Sequence, residues 1–235
     1  MPKSKPALEL DTRQKLLDAA GRLFAERGFA DVSIREICKA AGGANMAAVN
    51  YYFRDKAALY RELLQHIVDA TMKRGYEHTL EAIAGKQPKE KLHVFLRLFL
   101  QDILGEEADD RCVVLGKLMN REMIDPTPDF DIVVKQGMKP RFALLSQIVG
   151  EIMERPVTDP RVLSGTQSTM GQCLIYGTTK RLSKYFAPGA QFTPVVIDGI
   201  AAQIWIYSLA GIRAIGQNRA DENGWSDCGS RPKMR

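Results

Sequence analysis

Four cysteines, three histidines and two tryptophans in 235 residues leave little material for several kinds of chemistry. Cys38, Cys112, Cys173 and Cys228 stand far apart without a paired short spacing, which excludes the usual ligand pattern of a zinc site and the framework of a disulfide-stapled domain. Reduced thiols are the expectation. His66, His78 and His93 make no HExxH-like or Cys-His pattern, and no glycine-rich phosphate loop is present, so neither metal nor nucleophilic catalysis is indicated and no cofactor is expected. Long apolar runs are scarce as well. The most apolar stretches are residues 94–104 and 195–215, and the second is broken by Asp198, Gly199, Gln203, Ser208, Gly211 and Arg213. The opening MPKSKPALEL has two lysines but no apolar core of a secretion signal. A soluble, cytoplasmic protein without a membrane partner is the expectation. Lys plus Arg 33 against Asp plus Glu 28, net +5, is a mild basic excess that suits a polyanion without demanding one.

Strand-like alternation is absent too, and what remains is helical punctuation. From residue 12 to 80 the apolar positions recur at three and four. A first helix is predicted over 12–27, with Leu16, Leu17, Ala20, Leu23 and Phe24 inward, Gly28 as a left-handed cap and Phe29 packing back on its end. Ser33 and Glu36 form S-x-x-E, a capping box that starts a short helix over 34–41 with Ile34, Ile37, Cys38 and Ala41 on one side. Gly42 and Gly43 allow a sharp turn. Asn45 then caps a helix over 46–53, and Asp55 caps a fourth that runs to about residue 75. Further helices are predicted at 77–84, 89–104, 111–123, 130–153, 160–181 and 193–216. Residues 217–235, poor in apolar side chains, are expected to be a disordered tail. The fold class is all-α.

Two short helices across a glycine turn make a helix-turn-helix at about residues 33–53. Its second helix has what a major-groove reader needs. Ala47 and Ala48 are small enough for close approach, Asn50 suits a bidentate contact to adenine, and Tyr51 and Tyr52 reach phosphate or base, while Val49 and Phe53 face inward. Lys56 stands in the first turn of the next helix, where the helix dipole disfavours a cation by up to about 1 kcal/mol. A phosphate partner would compensate.

At SIREICKAAGGANMAAVNYYFRDKAAL, following LLDAAGRLFAERGF, the chain resembles the TetR family of bacterial regulators. The resemblance covers residues 12–60. It implies a three-helix DNA-binding head (1–56), then a connecting helix and a larger helical body (57–216) that dimerises and binds an effector. Ser33, Arg35, Asn45, Met46, Ala47, Asn50, Tyr51, Tyr52 and Lys56 are the candidate DNA contacts, Arg54 a further one, with Lys56 the family's phosphate-binding lysine. Departures are an extra Gly43 in the turn, Tyr52 where histidine is common and Asn50 where tyrosine is common. The partners implied are a double-stranded, palindromic operator, a second copy of the chain and a small-molecule effector, and the implied activity is repression relieved by that effector.

For the dimer, the last two long helices are the candidates. Gly165, Ser168 and Gly171 would allow close helix approach, and Ile204, Trp205, Ser208, Leu209 and Ile212 line one side, with packing inside one subunit as the alternative. LMNREMIDPTP, residues 118–128, resembles the body of a CecR-like TetR subgroup. Phe95, Phe99, Met119, Glu122, Met123, Met138, Phe142 and Tyr176 are the candidate effector-pocket residues, with Arg97 and Arg121 as further polar anchors.

Overall fold

The computed structural model describes residues 5–105, 110–179 and 191–217, with residues 185 and 189, and the expected tail lies outside them. Among the described residues there are helices and no strand. They fall into two compact units, one within Met1–Arg74 and Glu107–Lys139, the other within Gly75–Glu106 and Pro140–Arg235.

The first unit opens with α1 (Lys5–Arg27), which begins seven residues before the start predicted from the sequence, with Pro6 at a position that tolerates a missing N–H. Leu16, Leu17, Ala20 and Phe24 are buried to 1% or less. The N–H of Gly28 bonds the Phe24 carbonyl at 2.8 Å and ends the helix. α2 (Ile34–Ala40) starts at the Ser33–Glu36 capping box, with both reciprocal bonds made. α3 (Met46–Phe53) starts at Asn45, whose side chain accepts from the Ala47 N–H at 3.0 Å. α4 (Lys56–Ile67) starts at Asp55, which accepts from the Ala58 N–H at 2.7 Å. Three of the four local caps read from sequence are therefore side-chain caps in the structure, each worth about 1 kcal/mol. Compactness groups these helices with α7 (Asp110–Ile124) and the winding 128–138, where Leu118 and Val133 are fully buried in the same core.

Gly75 does not end a helix as the sequence suggests. α4 passes through a π-helical segment, Val68–Lys73, into α5 (Arg74–Ile83). A side chain at Gly75 would put its Cβ 2.3 Å from Asp102 Oδ2 and 2.4 Å from an Arg141 nitrogen, so this glycine answers to close packing and not to a turn. A second π-helical segment, Val134–Met138, likewise interrupts the helix expected over 130–153, after a single 3-10 turn and the three-residue α8 (Asp131–Val133).

The second unit packs α5, α6 (Pro88–Leu104), α9 (Lys139–Met153), α10 (Pro160–Thr179) and α11 (Pro194–Gln217) around Leu92, Phe95, Leu96, Leu100, Leu145, Val149, Val162 and Ala201. Each of these leucine, phenylalanine and valine side chains taken from water contributes about 1.5–3 kcal/mol before chain entropy is charged. α11 is long and apolar enough by composition to cross a bilayer, with mean hydropathy 1.6 over eighteen residues. Its Ile197, Ala201, Ile204, Ser208, Leu209 and Ile212 are nevertheless built into the unit's own core.

That burial corrects the expected dimer stripe. Ile204, Ser208, Leu209 and Ile212 pack within the subunit, and Trp205, half-buried, donates its indole N–H to the Lys89 carbonyl at 2.9 Å. Gly165 also serves the interior, since a Cβ there would meet Met153 and Val149 at 3.0 and 3.3 Å. The outward face of α11 carries Val195, Val196, Ile206 and Tyr207, at 80, 43, 61 and 66% exposure. Helical periodicity marks two apolar faces on such a helix but does not say which one meets its own bundle.

Candidate nucleic-acid interface

The second helix of the helix-turn-helix is fixed by its inner side and open on its outer one. Val49 is fully buried and Phe53 is 5% exposed, and the Arg13 guanidinium lies over the Phe53 ring at 5.2 Å. Met46, Ala47, Asn50 and Tyr51 face outward, Tyr51 being 73% exposed. The two tyrosines differ. Tyr52 is half-buried against the core and meets Tyr51 edge-on at 4.9 Å, so it buttresses the exposed ring. Ala48 is half-buried as well.

The extra residue of the turn is absorbed locally. Gly42 and Gly43 both take positive φ, 90° and 82°, which L side chains rarely adopt, and the N–H groups of Gly43 and Ala44 both bond the Cys38 carbonyl at 3.0 Å. Open space lies above both glycines. Cys38 itself is buried, and burial pushes its thiol up, as expected of a core residue. Cys173 in the second unit is likewise buried and pushed up to about 12, which leaves it unreactive near neutral pH.

The candidate phosphate contacts are held in different ways. Lys56 Nζ lies 4.4 Å over the Phe29 ring and 3.4 Å from the Ala30 carbonyl oxygen, so its direction is set before any ligand arrives. Ser33 spends its hydroxyl on the cap, donating to Glu36 at 2.7 Å and accepting from the Glu36 N–H at 3.3 Å. The Ser33 hydroxyl, the Ser33 backbone N–H and Arg27, all bonded to the Glu36 carboxyl, hold it down to about 2. Asn45 spends its carbonyl oxygen in the same manner. Arg35 is exposed, and Arg54 still more so, with 91% of its side chain open to solvent. Arg54 also sits at φ 75°, ψ −48°, where a non-glycine residue stores about 1–3 kcal/mol. Nothing in the sequence marks that strain.

The candidate effector residues divide between the units. Phe95 and Phe99 stack at 5.8 Å in the core of the second, where Tyr176 packs partly buried, and Phe142 is half-buried on α9. Met119, Glu122 and Met123 belong to the first unit, as does Met138. Met119 and Met138 pack on its core, Met123 is 40% exposed, and Glu122 is buried with its oxygens bonded to Tyr60 and Thr127. Arg121 donates to the carbonyls of Glu26 and Arg27. Sequence reasoning missed Arg141, 7% exposed on α9, which pairs with Asp102 at 2.7 Å and lies over Phe99 at 5.5 Å. No local pattern in KPRFALL distinguishes it from a surface arginine. Among the described residues no cluster of His, Cys, Asp and Glu suited to a metal ion occurs.

A short helix locked inward by Val49 and Phe53, open outward and flanked by basic side chains, defines a helix-turn-helix DNA-binding regulator. Residues 16–63 match the bacterial regulatory proteins of the tetR family, and residues 88–214, more than half of the chain, match the HTH-type transcriptional dual regulator CecR, C-terminal domain. The chain belongs to the TetR family of transcriptional regulators and carries a C-terminal domain of the CecR type. It is 27% identical to the dual regulator CecR of Shigella flexneri over 180 residues, 74% of this chain and 80% of that one. Among solved structures, FadR from Bacillus subtilis in complex with stearoyl-CoA has a TM-score of 0.59 at 19% identity, covering 84% of this chain and 98% of that one. AibR in complex with isovaleryl coenzyme A and operator DNA has a TM-score of 0.60 at 18% identity, covering 83% and 98%. At these identities the likeness to the two structures is one of fold.

Proposed function

We propose that this regulator represses transcription by placing α3 of two subunits in successive major grooves of a palindromic operator, and that a small-molecule effector bound in the body releases it. The observation that carries the reading is the outer face of α3, where Met46, Ala47, Asn50 and Tyr51 stand exposed on a helix whose inner face is locked. Asn50 and Tyr51 read bases, Lys56 meets phosphate, and Arg35 and Arg54 add backbone contacts. Tyr52 acts by supporting Tyr51. The dimer forms through the last two long helices by the outward apolar face of α11, next to which α10 exposes Ile175 at 53%. Phe95, Phe99, Phe142 and Tyr176 are the effector residues we retain. The acyl-CoA complexes of FadR and AibR make acyl-CoA thioesters the first compounds to test, and the DNA partner places the protein in the cytoplasm.

Selection of bound fragments from the source genome tests the reading. The expected product is a two-fold site whose half-sites lie about 34–36 Å apart or at a multiple of that spacing. Acyl-CoA thioesters should then weaken its capture. Fragments without a shared two-fold motif, or binding indifferent to salt, would overturn it.

A further inference from the structure

In the segment LMNREMIDPTP, which the sequence suggests as part of an effector-binding body, Arg121 and Glu122 reach back to α1 and α4. All of the contacts lie within the first compact unit. Arg121 donates to the carbonyls of Glu26 and Arg27 at 3.2 and 3.0 Å, closing the C-terminal end of α1. Arg61 of α4 grips Asp129 through two nitrogens at 2.9 and 3.3 Å. Between these two clamps lies Glu122, 1% exposed. One of its oxygens accepts from the Tyr60 hydroxyl, and the other accepts from the Thr127 N–H at 3.0 Å and the Thr127 hydroxyl at 3.2 Å.

A buried carboxylate is costly unless its oxygens are bonded, and an apolar side chain of similar size would fill the space without that cost. What the carboxylate does here is hold a ring. The Tyr60 ring, 2% exposed, meets Phe24 edge-on at 5.0 Å and Phe29 at 4.9 Å. Phe29 in turn meets the ammonium of Lys56, 4.4 Å from the ring centroid. Glu122, Tyr60, Phe29 and Lys56 therefore form one continuous line from α7 to the first turn of α4.

We infer that Glu122 is a positioning residue for DNA binding, acting through Tyr60 and Phe29 to hold Lys56 in the direction of an operator phosphate. The inference rests on the reading of Lys56 as a phosphate contact. A free lysine has many rotamers to lose when it binds, and a ring that already attracts its ammonium removes part of that loss. Loosening the ring should therefore weaken DNA binding through Lys56 and by no other route.

The test uses the full chain and a duplex of about 30 base pairs recovered by the selection above, long enough for two half-sites. Affinity is measured across salt concentrations for Lys56→Ala, Tyr60→Phe and Phe29→Leu, and for each of the last two combined with Lys56→Ala. Lys56→Ala should flatten the plot of log affinity against log salt by about 1 per subunit. Tyr60→Phe and Phe29→Leu should each weaken binding about five-fold in the parent and leave it unchanged in the Lys56→Ala background. Binding lost in Glu122→Ala should be largely regained in Glu122→Gln, whose amide can still bond Tyr60 and Thr127. Equal losses with and without Lys56 would mark a general loosening of the head and overturn the inference. A salt slope unchanged by Lys56→Ala would instead overturn the phosphate reading beneath it.

Discussion

α3 and α11 are both anchored by one face and exposed on the other, and the chemistry of the exposed faces separates them. α3 turns Ala47, Asn50 and Tyr51 outward, with Lys56 close by in sequence, whereas α11 turns out Val195, Val196, Ile206 and Tyr207. The first face suits a wet, polyanionic partner read by hydrogen bonds, and the second suits an apolar protein surface that excludes water. Exposure by itself therefore says only that a partner is allowed. Which partner follows from what the exposed side chains can do once desolvated.

Four substitutions would sharpen or break that contrast. The largest effect is expected from the inner anchor of α3, where Phe53→Ala should destabilise the head by about 3–5 kcal/mol and abolish DNA binding with it. Chemical denaturation followed beside gel shifts would show whether the two losses coincide. Next comes the outer face of α11: Ile206→Glu places a charge where a subunit interface would bury it, and should turn a dimer into a folded monomer. Analytical ultracentrifugation reads this directly, and a variant that remains dimeric would move the interface elsewhere. Tyr51→Ala, on the outer face of α3, should leave the melting temperature close to the parent value while costing about 1–3 kcal/mol of discrimination among DNA sequences. Competition between selected and scrambled duplexes measures it.

The smallest effect concerns the cap of α2. Ser33→Ala removes the hydroxyl from the capping box and should lower the melting temperature by about 3 °C at neutral pH. Glu36 is lowered from the ordinary 4.5 to about 2, first by the Ser33 side chain, then by the Ser33 backbone and Arg27. A carboxyl held below its unfolded value stabilises the fold fully above that value and ceases to do so as pH falls through the folded one. The gap between parent and variant should thus be constant above about pH 5 and shrink towards pH 2. A gap that widens in acid would contradict this assignment of the bonds.

Much of the reading head was legible in the sequence because its determinants are local. Ser33 and Glu36 stand three apart, Asn45 and Ala47 two apart, and Asp55 and Ala58 three apart, so each cap is specified by a few neighbouring residues. The burial of Val49 and Phe53 follows from helical spacing in the same way. Tyr51 and Tyr52 looked alike in the sequence, however, and only packing distinguishes the exposed ring from the half-buried one beside it. The body was less legible. Its apolar helices signal a core without saying which side of α11 belongs to it, and the long-range partners of Glu122 and Arg141 leave no local trace.

By itself the sequence determined the all-α class, the order and caps of the head, the helix-turn-helix with its glycine turn, and the family. These depend on backbone donors, turn preferences and helical period, which act over a few residues. Only the tertiary structure decided that Gly75 is a packing glycine inside a helix, that the outer face of α11 carries Ile206 and Tyr207, and that Glu122 holds Tyr60 across a separation of 62 positions. Such contacts form where distant segments fill the same space, and close packing then chooses among faces and partners that local chemistry leaves equal.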